Sequence, residues 1–176
     1  MNDIAWSPHA NRFVFCRASG IESNSPEYRG IAVSSDGFTW QNHLYANILG
    51  LDNVLYASVT YNPNIHAFTL AVCMSAKKSI YIYTSYDGIT YNKIKELESQ
   101  LSKNPTYPAI AYSPEKNITT LLSTGGTYIT QDMVNWIPVT SDFYPGHNGQ
   151  RFIWSPTANA FLYVKDDNNI AKLIID

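Results

Sequence analysis

The chain has 176 residues with a formal net charge of −2, and charged residues make up 15% of it. This near-neutral balance argues against a nucleic-acid-binding surface or a polybasic membrane anchor. Aromatic residues reach 14%, which supplies apolar material for a core and argues against disorder. The sequence has no run of 18 apolar residues and no basic segment followed by an apolar one at its start. We therefore expect neither a transmembrane helix nor a signal peptide.

The first predicted element is a hairpin that recurs four times along the chain. In each copy a short apolar strand ends at an aromatic residue, serine or asparagine and then proline follow, and a second apolar strand comes next. Proline cannot donate to a strand ladder, and with serine or asparagine it favours a turn. The four copies of the motif are Trp6-Ser7-Pro8, Tyr61-Asn62-Pro63, Tyr112-Ser113-Pro114 and Trp154-Ser155-Pro156. The predicted strand pairs cover 4–6 and 12–17, 59–61 and 67–73, 110–112 and 118–122, and 152–154 and 160–164.

A second motif follows each of the first three hairpins and predicts another turn. It reads Ser34-Ser35-Asp36-Gly37 in the first copy and Ser85-Tyr86-Asp87-Gly88 in the second, with a weaker third copy around Asp132. Asp-Gly between two strand-like runs is a strong hairpin signal, because glycine accepts a positive φ and the aspartate caps the turn. Since an active site occurs once and not once per repeat, we interpret these aspartates as structural.

Strands are predicted on both sides of each of these turns. The strands before the turns cover 30–33, 79–83 and 127–129. An aromatic residue lies four positions after each aspartate, at Trp40, Tyr91 and Trp136, and is expected on the following strand with its ring packed inward. One unit is therefore a four-stranded antiparallel meander.

Three complete units and a partial fourth predict an all-β fold, a β-propeller of about four blades whose last blade is incomplete. The propeller forms a single domain over 1–176, with repeats over approximately 3–50, 54–104, 107–142 and 150–176. Three explanations of the incomplete blade stay open. The last blade has only three strands, a neighbouring chain supplies or covers the edge, or the chain is a fragment of a larger propeller.

The turns of the form Ser-x-Asp-Gly-x-x-Trp resemble a shortened Asp-box, or BNR repeat, of sialidase-type propellers. The combined unit is also similar to propeller repeats of phage tail and other virion-associated proteins. This resemblance covers nearly the whole chain, is moderately specific for the fold and is poorly specific for function. A sialidase site would need an arginine cluster, whereas the sequence has only Arg12, Arg17, Arg29 and Arg151, at positions that are not equivalent in the repeats.

The stretch 93–104 departs from the repeated pattern. Ile94, Leu97 and Leu101 have helical spacing, so 93–104 is predicted to be a short solvated helix between the second and third blades.

Cys16 and Cys73 lie in apolar runs without metal-site spacing and are interpreted as buried free thiols, with a bridge between them left open.

No residue shows a clear chemical role. The weak candidates for ligand contact are Tyr144, His147 and Asn148, in a polar and aromatic loop before the last blade. The repeated aromatic residues of the proline hairpins are interpreted as inter-blade packing, with a sugar-binding platform as the alternative. We expect no catalytic residues, no metal and no cofactor.

The sequence therefore favours a non-enzymatic function. The leading hypothesis is a structural or adhesion module of a virion, of the phage tail or fibre type, which contacts other virion proteins or copies of itself. The alternatives are a lectin-like propeller that binds a cell-surface glycan and a fragment of a sialidase-like glycosidase. No nucleic-acid partner and no membrane insertion are expected.

Overall fold

The computed structural model describes residues 2–17, 29–74, 77–100, 107–139, 151–164 and 170–175. Its strands form four separate antiparallel sheets, each with the strands in chain order. Blade 1 consists of β1 (Asn2–Ser7), β2 (Arg12–Arg17), β3 (Gly30–Ser34) and β4 (Gln41–Leu44). Blade 2 consists of β5 (Val54–Asn62), β6 (Ala67–Met74), β7 (Ser79–Ser85) and β8 (Asn92–Glu98). Blade 3 consists of β9 (Ala109–Ser113), β10 (Ile118–Ser123), β11 (Gly126–Thr130) and β12 (Ile137–Val139), and blade 4 of β13 (Phe152–Ser155), β14 (Ala160–Val164) and β15 (Ile170–Leu173).

The sheets are arranged as a four-blade β-propeller. The first strand of each blade is innermost, since β1 packs beside β5, β5 beside β9 and β9 beside β13. This confirms the predicted all-β class, the antiparallel meander and the three-stranded last blade. One short helix, α1 (Tyr45–Leu49), joins blades 1 and 2 and was not expected from the sequence. Among the described residues, no helix is both long and apolar enough to cross a bilayer.

Three apolar cores hold the blades together, one at each interface between consecutive blades. Buried residues follow one another along strands such as β6, and because successive side chains point to opposite faces, the blade is buried on both faces. The core between blades 1 and 2 includes Val14, Cys16, Val59, Phe68 and Leu70. The core between blades 2 and 3 includes Ala71, Ile80, Ile82, Ile110 and Leu121, and that between blades 3 and 4 includes Ala111, Leu122, Phe161 and Tyr163. Within the described ranges, no such cluster joins blade 4 to blade 1, and the space between the described strands of these two blades is called the gap below.

The proline turns repeat in atomic detail. The side-chain oxygen of the residue before each proline accepts a main-chain N–H two or three residues later, as in Ala10 N to Ser7 Oγ at 3.0 Å and Asn64 N to Asn62 Oδ1 at 2.9 Å. The third residue after each proline has a positive φ, which asparagine tolerates better than most residues. These residues are Asn11, His66, Asn117 and Asn159.

The aspartate turns have the predicted structural role. In blade 1, Asp36 Oδ1 accepts hydrogen bonds from the N–H groups of Phe38 and Thr39 at 2.8 and 2.7 Å. Ser34 Oγ donates to the same carboxylate at 2.9 Å. Blades 2 and 3 repeat this set around Asp87 and Asp132. The periodic aspartates therefore serve as turn caps.

These hydrogen bonds predict a pH-dependent contribution to stability. The N–H groups of Thr39 and Phe38 lower the pKa of Asp36 from an ordinary 3.8 to about 2. Because the folded-state pKa lies below the unfolded value, the contribution is complete above 3.8 and is lost as the pH falls through about 2. We expect Asp36→Asn to lower the urea midpoint of unfolding near neutral pH, and the difference from wild type to shrink towards pH 2. Urea titrations over this pH range measure it.

The control for this experiment is Asp52→Asn, which removes the same charge where no hydrogen bond to the carboxylate occurs in the described structure. A difference between Asp36→Asn and wild type that stays constant from neutral pH to about pH 2 would contradict the role of the ionised carboxylate.

The predicted helix over 93–104 is wrong as far as residue 100, and 101–104 lie outside the described residues. Residues 92–98 form β8, the outer strand of blade 2. A β-bulge shifts the register between Ile82 and Tyr83, so Lys93 and Glu96 lie on the same side of the strand although they are three residues apart. Their Nζ and Oε2 atoms are 2.7 Å apart. The bulge thus places residues that are three positions apart on the same side of an edge strand, which is a spacing typical of a helix.

Two further predictions are resolved by the structure. The aromatic residues of the aspartate turns precede the fourth strands and do not lie within them; Tyr91 and Trp136 are buried as expected, whereas Trp40 is only half-buried. Cys16 and Cys73 are free and fully buried, which confirms the thiol interpretation and excludes a bridge between them. Burial raises the pKa of both thiols, so neither is a reactive thiolate.

Candidate functional site

A cavity of about 430 Å³ lies at the centre of the propeller and is lined by the innermost strands of all four blades. Its wall contains the four aromatic residues of the proline hairpins, which are Trp6, Tyr61, Tyr112 and Trp154. Because the blades are repeats around a common centre, equivalent positions of β1, β5, β9 and β13 converge on one space. A cavity of this size falls within the range of small-molecule sites.

Each aromatic residue of the cavity is paired across its own hairpin. Trp6 lies opposite Phe13 in the strand register, and their ring centroids are 4.4 Å apart. Trp154 and Phe161 form the equivalent pair at 4.9 Å. In blade 3 the partner position holds Thr119, and the Tyr112 hydroxyl instead donates to Asn117 Oδ1 at 3.1 Å. The rings are thus held in place by their own blades.

The expectation that these aromatic residues serve inter-blade packing is confirmed for Tyr61 and Trp154 but not for Trp6. Tyr61 and Trp154 contact the cores beside them, but Trp6 belongs to none of the three cores and remains 38% exposed. Tyr61 and Trp154 thus combine inter-blade packing with a place in the cavity wall, whereas Trp6 packs against Phe13 of its own blade. The alternative that the sequence left open, an aromatic platform, matches their position.

Three positions before the four aromatic residues, the inner strands carry a second set of equivalent residues, here called the polar level, of which Asp3 and Arg151 line the cavity. Asp3, Ser58 and Arg151 occupy equivalent positions in blades 1, 2 and 4, and Ala109 does so in blade 3. Ser58 Oγ donates to Asp3 Oδ2 at 2.6 Å and accepts the Ile110 N–H at 3.0 Å. One buried hydroxyl thereby connects the inner strands of three blades.

Asp3 is the acidic group of this level. Burial raises its pKa, while hydrogen bonds from Ser58 and the main chain and the charge of Arg151 act in the opposite direction. Arg151 is exposed at the edge of the cavity. No sequence motif marks Asp3 or Arg151, but their common spacing of three residues before a repeated aromatic residue would have placed them at one level.

Glu115 is the other acidic residue of the cavity wall, and it lies at the opposite end from Asp3. It follows β9 within a proline turn, whereas Asp3 lies near the start of β1, four residues before Ser7. At roughly 3.3 Å per residue, the strand separates these levels by about 13 Å. Glycosidase carboxylate pairs are about 5 to 9.5 Å apart. The main-chain levels of the two carboxylates in the described wall are thus further apart than the carboxyl groups of such a pair.

One donor in the cavity wall has no acceptor in the described part of the chain. The indole Nε1 of Trp154 is buried and without a hydrogen-bond partner. Trp40 and Trp136 differ, because their Nε1 atoms donate to Gly37 O and Met133 O, each at 3.1 Å. An unpaired buried N–H costs free energy.

The ligand-contact candidates from the sequence, Tyr144, His147 and Asn148, lie outside the described residues. The arginines are separated: Arg12 donates from Nη1 to Asp87 O at 2.7 Å, and Arg29 from Nη1 to Asp52 O at 3.5 Å. Of the four arginines, Arg151 alone lines the central cavity. His9 and His66 stack with ring centroids 4.5 Å apart on two neighbouring turns. No group of three metal-ligating side chains occurs within the described ranges.

No family model matches the chain, and no curated protein matches it in sequence. Solved structures do resemble it. An endo-1,4-β-xylanase from Bacteroides thetaiotaomicron VPI-5482 aligns with 99% of this chain and 75% of its own, with a TM-score of 0.57 and 10% identity. An exo-β-1,3-galactanase from Clostridium thermocellum aligns with 93% of this chain and 42% of its own, with a TM-score of 0.57 and 12% identity. A Hadza microbial sialidase aligns with 92% and 39%, with a TM-score of 0.54 and 14% identity.

The similar solved structures are mostly carbohydrate-active enzymes, and the chain spans less than half of the galactanase and of the sialidase. At these identities the likeness shows the propeller fold and no more. The sialidase among the neighbours agrees with the propeller part of the resemblance, while no family model supports an Asp-box. The expected virion role is addressed by none of these comparisons and stays a prediction.

Proposed function

We propose that this protein binds carbohydrate in the central cavity and does not hydrolyse it. The observation that carries the proposal is the convergence of four repeat-equivalent aromatic residues on one cavity of about 430 Å³. An aromatic ring stacks on the apolar C–H face of a pyranose, and a few polar groups then fix its hydroxyls. Asp3 and Arg151 supply such groups.

The described cavity favours binding over catalysis. Its two carboxylates, Asp3 and Glu115, stand on main-chain levels about 13 Å apart, further than the carboxyl groups of a glycosidase pair. A sialidase-type site is also disfavoured, because one arginine lines the cavity and does not form a cluster with the others. The proposal retains the adhesion part of the expected function and selects its glycan-binding alternative.

The test begins with an array of neutral and acidic oligosaccharides, followed by calorimetric titration of the oligosaccharide that binds best. We expect Trp6→Ala and Trp154→Ala each to raise its Kd at least tenfold, about 1.4 kcal/mol, because each removes a stacking surface. The oligosaccharide should be recovered intact after long incubation with wild-type protein.

The matched control is Phe38→Ala, which removes an aromatic ring that is 91% exposed outside the cavity. It should leave the Kd unchanged. Urea midpoints of all variants separate a loss of binding from a loss of folding. Equal Kd values for the Trp6 and Phe38 variants would place binding elsewhere, and the absence of binding to any oligosaccharide, or its cleavage, would refute the proposal.

A further inference from the structure

The gap in the ring exposes one sheet face of blade 1. Ile4, Phe15, Ala32, Trp40 and Leu44 line an apolar groove of about 490 Å³ on this face. Ile4 is 43% exposed, and Phe15 and Trp40 are half-buried with ring centroids 6.3 Å apart. Large side chains of this kind are seldom left on a surface as one continuous patch.

The other blades bury the equivalent positions of this face. Two residues before the inner aromatic residue, blade 1 has Ile4, whereas the other blades have Val59, Ile110 and Phe152, at 2%, 2% and 8% exposure. At the position of Phe15, the other blades have Leu70, Leu121 and Tyr163, at 0%, 0% and 1% exposure. The groove of blade 1 is therefore a blade-to-blade interface without its partner.

Blade 4 packs one of its sheet faces against blade 3, and its other face is the complementary half of that interface. Ile153 is 54% exposed and Ile170 is 65% exposed. In the sheet register Leu162 lies between Ile153 and Lys172, and Ile170 lies opposite Val164. In blade 1, the positions of Ile153 and Leu162 are held by Ala5 and Val14, which pack in the core against blade 2. Blade 4 thus presents the kind of face that blades 1, 2 and 3 bury against the next blade.

We propose that the free face of blade 4 in one copy of this chain packs on the free face of blade 1 in a second copy. The contact continues the interface that the chain already forms three times between consecutive blades. A second copy is the occupant that the structure favours, because every copy carries both halves in equal number. Such head-to-tail contacts generate rings or filaments.

The expected association is weak and reversible. One blade face is a small interface, and interfaces at the small end of the range belong to transient complexes. We therefore expect light scattering after size-exclusion chromatography to show a mass that rises above 19.8 kDa with protein concentration in the micromolar range.

Two variants that each disable one face provide the decisive test. Ile4→Glu places a charge on the blade 1 face, and Ile153→Glu places one on the blade 4 face. Each variant alone should associate at least tenfold more weakly than wild type, and should stay monomeric at concentrations where wild type associates. An equimolar mixture should form a heterodimer, because each variant retains the face that the other has lost. Ile137→Glu, at an isoleucine that is 58% exposed on β12, is the control and should associate like wild type.

The outcomes of these experiments decide whether a second copy of the chain binds at the gap. A wild-type chain that stays monomeric at every concentration overturns the proposal. So does association that survives in Ile4→Glu alone, or a mixture that stays monomeric, because either result excludes the head-to-tail contact. Circular dichroism and urea midpoints verify that the variants fold, which is expected because both substituted side chains are partly exposed.

Discussion

Replacing Ile110 by alanine should destabilise the protein by about 2–5 kcal/mol, the range for truncating a buried isoleucine. Ile110 is 2% exposed in the core between blades 2 and 3. Its main-chain N–H donates to Ser58 Oγ, and this bond persists in the variant, so the loss reports the side chain. Urea unfolding followed by intrinsic fluorescence measures the difference.

The same substitution at the equivalent position of blade 1 is the matched control. Ile4 is also isoleucine and lies two residues before its own aromatic residue, but it is 43% exposed at the gap. We expect Ile4→Ala to cost less than about 1 kcal/mol at a concentration where the chain is monomeric. Equal losses at Ile4 and Ile110 would contradict the gap and show that blade 4 closes on blade 1 in solution.

The second large effect is expected at Gly88, in the aspartate turn of blade 2. Gly88 has a φ of +76°, and a Cβ added there would lie 2.6 Å from Val14 Cγ2 in the fully buried core between blades 1 and 2. Gly88→Ala therefore combines the cost of a positive φ with overpacking. Together these amount to about 2–4 kcal/mol. Thermal and urea unfolding of the variant measure this loss.

Gly37, in the equivalent turn of blade 1, separates the two contributions. Its φ is +78°, but an added Cβ would be 3.6 Å from the nearest atom, in the Phe13 ring, which is ordinary contact. Gly37→Ala should therefore cost only about 1 kcal/mol. The double variant Val14→Ala/Gly88→Ala should recover part of the loss. If Gly88→Ala and Gly37→Ala lower the free energy of unfolding by the same amount, the steric contact with Val14 contributes nothing to the loss at Gly88.

In the third copy of the turn, the equivalent position holds Met133 with a φ of +63° and a buried side chain. A side chain is thus accommodated at this backbone conformation where the neighbouring core leaves space. The comparison shows that the surroundings of Gly88, more than its φ alone, determine the expected loss.

The repeated turns, the strand order and the propeller fold could be predicted from the sequence, because each depends on local chemistry. Proline removes a ladder donor, and Asp36 and its equivalents bind main-chain N–H groups two and three residues away. These interactions need no knowledge of the rest of the chain. The strand that was predicted as a helix, β8, failed for a local reason as well, since a bulge cannot be distinguished from helical spacing over a few residues.

The tertiary structure alone decided which residues meet. Asp3 and Arg151 share one level of the cavity although almost the whole chain separates them, because the innermost strands of a propeller converge on its centre. The same arrangement turned Trp6 towards the cavity and left Ile4 exposed, while its equivalents in the other blades became core. Repetition in the sequence makes these positions look alike. Only the order of blades around an open ring makes them different, because burial depends on whether a neighbouring blade is present.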